Sequence, residues 1–169
     1  MCIRDRFNPK LGDIKLRADL APIQWQQLPW TFYAELTLPT ADPENLGSGK
    51  YQLAPAIRSA IKSGANNYSG LVQQVVSFAG DASRKDINYT KLEAAMNHGF
   101  DSGWFGKFTL KPAFDWQQDG ASGAVGELEG GVPLNQDWEV ALMAGGRLWG
   151  GNVPSTYGSR VELKLSYRY

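Results

Sequence analysis

The sequence predicts an all-β protein that folds as an antiparallel, up-and-down transmembrane β-barrel. In the last run of the chain, Val161, Leu163 and Leu165 alternate with Glu162 and Lys164. Side chains alternate between the two faces of a strand, so this run has one apolar face and one charged face. The pattern recurs along the chain, and no apolar run approaches the roughly 18 residues of a transmembrane helix. Alternating strands of this kind are typical of membrane barrels.

The composition fits a single domain with many turns. The chain has 169 residues, of which 43% are hydrophobic and 12% aromatic, and its 17 basic and 17 acidic residues balance. This length suits one ordinary domain. The balanced charge argues against a nucleic-acid partner, which would favour a basic face. The 19 glycines and six tryptophans fit tight turns and interfacial aromatic residues.

Nine alternating segments, separated by clusters of Gly, Asn, Asp and Pro, are predicted to be strands. Most have about the 9–11 residues that a tilted strand needs to cross a bilayer. Bacterial single-chain barrels have even strand numbers, so we expect roughly ten to twelve strands in the intact protein. The predicted strands are 12–20, 31–38, 51–62, 68–79, 87–98, 105–116, 124–134, 138–149 and 159–169.

The apolar residues of each strand share one face. The segment 54–63 could also form a short helix, but Pro55 and its period-two pattern favour a strand. The apolar face of each strand is expected to meet lipid, because a charge at the bilayer midplane costs about 2–4 kcal/mol. In chain order the clearest sets are Ile14, Leu16, Ala18 and Leu20; Tyr51, Leu53, Ile57 and Ile61; Phe108, Leu110, Pro112, Phe114 and Trp116; Leu128, Val132 and Leu134; and Trp138, Val140, Leu142, Ala144 and Leu148.

The charged residues of the strands are predicted to face the lumen together. Both signs are present, so neighbours on adjacent strands can pair. The sequence leaves open whether they surround a wide water-filled pore or form a salt-bridged plug. The predicted lumen-lining residues are Arg58, Lys107, Lys111, Glu127, Glu129, Arg147, Glu162 and Lys164.

The connections are predicted to fall into two classes. Short turns on the periplasmic side should contrast with longer external loops. The first turn is too long for this trend, which suggests a misplaced strand end there. The predicted turns are 21–30, 63–67, 99–104 and 135–137, and the predicted loops are 39–50, 80–86, 117–123 and 150–158.

Aromatic residues are predicted to form two girdles at the membrane interfaces, as in known barrels. In a soluble sandwich they would instead cluster in the middle of strands. The main inner-rim residues are Trp104, Trp138, Tyr167 and Tyr169, and those of the outer rim are Trp116, Trp149 and Tyr157.

The N-terminus is predicted to be foreign to the barrel. Residues 1–6 lack the apolar core of a secretory signal and resemble the translation of a sequencing adapter. We therefore expect a non-native leader at 1–6 and one N-terminally truncated barrel domain at 7–169. A genuine cytoplasmic start is the alternative. The single cysteine, Cys2, allows no disulfide within the chain and no cysteine-based metal site.

From about residue 36 onward the chain resembles the outer-membrane barrel family of the MetA pathway of phenol degradation, whose members are described as transporters. The resemblance lies in 38–40, 46–55, 76–81 with the positions that follow, and the turn at Gly103 and Trp104. It implies a barrel in the Gram-negative outer membrane that passes small molecules. The family offers no agreed catalytic residues. Ala54 departs from it, since glycine is expected before Pro55.

Three motifs suggest other chemistry. Gly47 to Lys50 looks like part of a phosphate loop, but Glu44 stands where a glycine is needed and a strand follows. Asp81 and its charged neighbours could bind calcium or lipopolysaccharide, although a solvated turn is the simpler interpretation. Asn97, His98 and Ser102 are the residue types of an outer-membrane lipid hydrolase, yet all lie around one turn.

The function expected from the sequence is therefore passive passage of small solutes, with aromatic or apolar compounds as candidates. No catalysis, cofactor or metal is predicted. The expected partners are outer-membrane lipid, an unidentified solute, and the barrel-assembly machinery, which would bind the C-terminal strand. The alternatives are a closed structural or adhesive barrel with functional loops, a lipid hydrolase, and a soluble lipocalin-like binder with the two faces reversed.

Overall fold

The computed structural model describes residues 11–26, 28–41 and 46–167, which form one ten-stranded sheet. A short 3-10 helix, Trp116–Gln118, follows the seventh strand. No helix in the described ranges is long and apolar enough to cross a membrane. The strands are β1 (Ile14–Asp19), β2 (Ile23–Trp25), β3 (Leu28–Leu38), β4 (Lys50–Ser63), β5 (Asn66–Gly80), β6 (Asn88–Gly99), β7 (Phe105–Asp115), β8 (Ala121–Pro133), β9 (Trp138–Trp149) and β10 (Ser159–Tyr167).

The sheet is antiparallel and up-and-down, as predicted. From β3 onward each strand pairs with the next along the chain, while β1 and the short β2 both pair with β3. β1 and β10 are the two ends of the strand order, and within the described residues they do not pair with each other. The predicted leader at 1–6, Cys2 and Tyr169 lie outside the described residues.

The first predicted turn, 21–30, is the main difference from the sequence prediction. It contains β2 and the beginning of β3, which pair as a small hairpin that sets Ile23 opposite Trp30. Gln26 turns the chain with φ of 50°. Pro29 gives the segment the look of a turn, but proline is compatible with a strand at its start or at a sheet edge. The suspected misplacement of a strand end is thus confirmed.

The two faces of the sheet differ sharply. Directly paired residues lie on the same face, and the pairs Leu163–Leu142 and Leu128–Ala144 place these apolar side chains together. Leu163 is 73% exposed and Leu128 65% exposed. On the opposite face Gln73 is only 1% exposed. Because one sheet supplies nearly all the described structure, this burial indicates that the charged face is concave.

The strand ends also differ. At one end of the strands, here called the turn end, the connections between consecutive strands are 64–65, 100–104 and 134–137. Gly64, with φ of 59°, makes the tightest of these turns. At the opposite end of the strands, here called the loop end, the connections are 39–49, 81–87, 116–120 and 150–158.

Candidate functional site: the concave face

All eight residues predicted to line the lumen project from the concave face. The register pairs Lys107 with Glu129, and it sets Glu162 and Lys164 opposite the buried Met143 and Ala141. Their shared face is thus established, while their role as lumen lining stays a prediction. The eight are Arg58 on β4, Lys107 and Lys111 on β7, Glu127 and Glu129 on β8, Arg147 on β9, and Glu162 and Lys164 on β10.

Two ion pairs hold the middle of this face between β7 and β10. The Lys111 ammonium lies 2.7 Å from the Glu127 carboxylate, and Lys164 lies 2.6 Å from Glu129. The side chains of Glu127 and Glu129 are only 11% and 14% exposed. The second pair reaches from β10 to β8 across β9, where the small side chain of Ala141 leaves room. A carboxylate so poorly hydrated depends on its cationic partner.

Tyr157 completes the first of these pairs. Its hydroxyl donates a hydrogen bond of 2.5 Å to the Glu127 carboxylate that also binds Lys111. Burial, together with the hydrogen bond to and the charge of Glu127, raises the pKa of Tyr157 to about 12, so the phenol stays protonated at neutral pH. The sequence assigned Tyr157 to the outer aromatic girdle. The structure instead directs it inward, a role that the alternation of the strands does not reveal.

The loop 150–158, which carries Tyr157, folds over the concave face. Val153 is 5% exposed and packs where a Cβ on Gly123 would lie 3.2 Å away. Gln118 donates a hydrogen bond of 3.2 Å to the Asn152 carbonyl. The loop is thus attached to the sheet near its beginning, through Asn152 and Val153, and near its end, through Tyr157. It narrows the space over the concave face of β8 and β9.

A second cluster lies on the concave face near the turn end. The Arg17 guanidinium stands 3.7 Å above the centre of the Tyr33 ring, and that of Arg58 is 5.8 Å from it. Asp19 accepts two hydrogen bonds from Arg17, at 2.6 and 2.8 Å, and lies 3.5 Å from Arg58. A cavity of about 470 Å³ adjoins these groups and is also lined by Glu93. Two guanidinium groups, the carboxylate of Glu93 and an aromatic ring therefore line a space large enough for a small solute.

Asp13 organises the loop end outside the strands. Its carboxylate accepts hydrogen bonds from the Ser48 amide and hydroxyl, at 2.8 and 3.0 Å, and from the Ala41 amide at 3.3 Å. Burial by itself would raise the pKa of Asp13, but these hydrogen bonds and the charge of Lys15 outweigh it and lower the pKa below 3.8. The ionised carboxylate thereby ties the chain before β1 to the loop 39–49.

Protonation of Asp13 is expected to release this loop in acid. Because the pKa is lower in the folded protein, the stabilisation is present above the unfolded value of 3.8 and is lost as the pH falls through the folded value. The protection factor of the Ser48 amide, which corrects its hydrogen-exchange rate for the intrinsic pH dependence of exchange, should therefore fall in acid. In Asp13→Asn the acid-dependent step should vanish. An identical step in that variant would show that another group controls the loop.

The suspected hydrolase residues do not assemble as a catalytic site. The His98 Nδ1 lies 2.8 Å from the Asn66 side-chain oxygen, and both residues are on the apolar face. Asn97 is next to His98 in the same strand, so its side chain points to the opposite, concave face. Within the described residues, no hydrogen bond joins His98 to a serine, and no group of three or more potential metal ligands occurs. The histidine packs edge-on against Phe100, with ring centres 4.6 Å apart.

The segment from Gly47 to Lys50 is a loop that enters a strand. Lys50 begins β4 and binds Asp86, at 2.8 Å, across the loop end. No helix follows, so the phosphate-loop alternative is excluded. The helix considered for 54–63 is likewise excluded, because these residues continue β4.

The predicted interfacial aromatic residues lie at the two ends of the strands, the turn end and the loop end. Trp138 and Tyr167 meet at the turn end with ring centres 5.0 Å apart, and Trp104 is 56% exposed there. Trp116 and Trp149 lie at the loop end and are about half exposed. Their contact with lipid headgroups stays a prediction.

Comparison with known proteins gives one structural relationship. No family model and no curated protein matches the chain. Among solved structures, the crystal structure of an outer membrane channel from Pseudomonas putida F1 matches with a TM-score of 0.72 and 15% sequence identity. The match covers 95% of this chain and 67% of that chain. At this identity the similarity concerns the fold alone: the chain shares the antiparallel, up-and-down β architecture of that protein.

Proposed function

We propose that the protein is a bacterial outer-membrane channel that lets small solutes diffuse through its lumen. The observation that carries this proposal is the inverted arrangement of the faces. Apolar side chains such as Leu163 and Leu165 are 73% and 63% exposed, while the charged side chains of Glu127 and Glu129 are withdrawn on the concave side. A soluble lipocalin-like binder needs the reverse arrangement, because its apolar residues must avoid water.

In the membrane, the edges of β1 and β10 need partners. Unpaired backbone N–H and C=O groups are costly in hydrocarbon, so a spanning sheet must close on itself. We propose that β1 and β10 are joined either directly or through further strands of the same barrel. The family relationship to the MetA pathway and its transporters remains part of this proposal, as does the preference for aromatic or apolar solutes.

Reconstitution of the purified protein into planar lipid bilayers tests the channel. We expect discrete conductance steps that are absent from bilayers prepared with detergent alone. The paired lumen charges Lys111, Glu127, Glu129 and Lys164 should give only weak selectivity between cations and anions, measured as a small reversal potential in a salt gradient. An absence of steps above background, from protein with a native β circular-dichroism spectrum, would refute the channel.

A second candidate is a sealed barrel whose external loops bind a partner. The inward fold of the loop 150–158 and the bond between Tyr157 and Glu127 favour it, because both fill the lumen near the loop end. The same measurement separates the two candidates, since a sealed barrel inserts into the bilayer without conducting.

A further inference from the structure

We propose that the cavity beside Arg17, Tyr33 and Arg58 binds solutes that carry both a carboxylate and an ammonium group on an apolar body, which is the chemistry of an apolar amino acid. The solute carboxylate binds Arg58, and the solute ammonium group binds Glu93. Both side chains line this cavity, whose volume is about 470 Å³. The inference rests on the proposed channel function and narrows its aromatic or apolar solutes to those that carry both charges.

The two charged residues stand on either side of one apolar residue. The register sets Arg58 on β4 opposite Leu71 on β5, and Leu71 opposite Glu93 on β6. Because directly paired residues share a face, all three side chains project from the concave face. Neighbouring strands lie about 4.8 Å apart, so roughly 10 Å separates the backbones of Arg58 and Glu93. A small solute can therefore reach both charged groups while its body lies on Leu71.

Arg58 has hydrogen-bond donors available for a solute. The Asp19 carboxylate accepts two hydrogen bonds from Arg17, at 2.6 and 2.8 Å, and thereby neutralises that guanidinium. Arg58 lies 3.5 Å from Asp19, makes no hydrogen bond to it, and has a side chain that is 51% exposed. A guanidinium can bind a carboxylate through two parallel hydrogen bonds. Arg58 can thus bind a solute carboxylate without giving up a hydrogen bond that it already makes.

Glu93 lacks a cationic partner. Lys111 stands opposite it on β7, but the Lys111 ammonium binds Glu127 at 2.7 Å. Lys91 lies two residues away on the same face of β6, and within the fully described stretch from β3 to β10 neither it nor any other cation forms an ion pair with Glu93. Glu93 is partly buried. A partly buried carboxylate without an ion-pair partner is stabilised when a cation approaches, so an ammonium group gains by binding there.

The space between these two residues stays open. Arg58 leans away from Glu93, towards β3, where its guanidinium carbon lies 5.8 Å from the centre of the Tyr33 ring. Ligand sites combine a mainly apolar lining with a few placed polar groups. Apolar surface and hydroxyl groups line the remainder of the cavity, from Pro22, Pro29, Ala60 and Leu71, and from Thr31 and Ser69.

This arrangement selects for a solute with two charges. Since Asp19 neutralises Arg17, one cation and one anion, Arg58 and Glu93, remain for the solute. A simple anion would satisfy Arg58 but would be repelled by Glu93. A simple cation would meet the reverse problem. Only a solute that carries both groups compensates both side chains.

Three ligands test the site on the wild-type protein. L-Phenylalanine carries both groups, 3-phenylpropionate lacks the ammonium group, and 2-phenylethylamine lacks the carboxylate. Isothermal titration calorimetry measures the three dissociation constants, with the protein in micelles of an uncharged detergent and protein-free micelles as the blank. We expect phenylalanine to bind at least about tenfold more tightly than either analogue, because each analogue loses a charge-assisted contact. Equal binding of phenylalanine and an analogue, or no binding of phenylalanine at millimolar concentration, would overturn the site.

Two charge-removing substitutions then assign the contacts. Glu93→Gln should weaken phenylalanine binding at least about tenfold without weakening that of 3-phenylpropionate, and Arg58→Gln should do the same without weakening that of 2-phenylethylamine. Arg160→Gln is the matched control, because Arg160 also projects from the concave face and its side chain is 54% exposed, but it pairs with Glu162 on β10. It should leave all three dissociation constants unchanged. An equal loss in this control would contradict the assignment.

Conductance in planar bilayers, measured on the same preparations, separates the site from the channel. A wild type that conducts but does not distinguish the three ligands overturns the site and leaves the channel intact. A wild type that binds phenylalanine selectively but does not conduct overturns the channel and leaves the site. Heat-modified migration in gels shows which variants are folded, and the ligand series on the wild type decides the proposal if neither substitution folds.

Discussion

Replacement of Glu127 by alanine is expected to lower the free energy of unfolding by about 2–3 kcal/mol. Glu127 binds both Lys111 and Tyr157, and its side chain is 11% exposed. The substitution leaves an ammonium and a phenol without their acceptor in a poorly hydrated place. Lys111 remains 33% exposed, and partial hydration of its ammonium keeps the loss below that of a fully buried pair. Urea unfolding in lipid vesicles, followed by tryptophan fluorescence, measures the change.

The matched control for this substitution is Glu162→Ala. Glu162 is a concave-face glutamate on β10 that pairs with Arg160 at 2.7 Å, and the two side chains are 34% and 54% exposed. Exposed ion pairs contribute little, so the expected change is within about 0.5 kcal/mol. Equal losses of unfolding free energy in the two variants would contradict the view that burial makes the contacts of Glu127 more stabilising than those of Glu162. A loss in Glu127→Ala that Glu127→Gln fully restores would show that charge has no part in it.

The faces of the strands could be predicted from the sequence because their cause is local. A period of two follows from backbone geometry, so Leu163 and Lys164 had to point to opposite sides wherever the strand lay. The exposure of apolar residues on the outer face then follows from one further fact, that nothing else in the described chain covers them. This is also why an inside-out arrangement could be inferred without a known relative.

Partners across strands could not be predicted, because they depend on register. Lys164 binds Glu129 two strands away, which requires both the pairing of β8, β9 and β10 and a small residue between them. The contact between Asn66 and His98 arises in the same way from the register of β5 and β6. A sequence gives the face of a residue but not its height along the barrel wall.

Loops were the least predictable part, since they have no period. Nothing in the alternation indicates that the loop 150–158 turns inward. In retrospect Gly145 is a signal, because a glycine on the concave face of β9 marks a close approach. A Cβ at Gly145 would lie 2.6 Å from the Tyr157 hydroxyl oxygen and 2.8 Å from Glu127 Cγ.

Replacement of Gly145 by valine is therefore expected to detach the loop 150–158 and to raise the mean single-channel conductance. The valine side chain occupies the place of the Tyr157 hydroxyl, and the nearby Gly126 carbonyl oxygen, at 3.1 Å from the Cβ position, prevents it from moving aside. Overpacking of this kind also lowers stability, by about 1–3 kcal/mol. Tyr157→Phe, which loses only the hydrogen bond to Glu127, should shift the conductance in the same direction by less.

Gly130→Val provides the control, because a Cβ at Gly130 meets nothing closer than 3.9 Å and faces outward. It should leave the conductance unchanged. If Gly145→Val conducts while the wild type does not, the loop 150–158 is the plug of a sealed barrel. If both conduct equally, Tyr157 does not narrow the lumen.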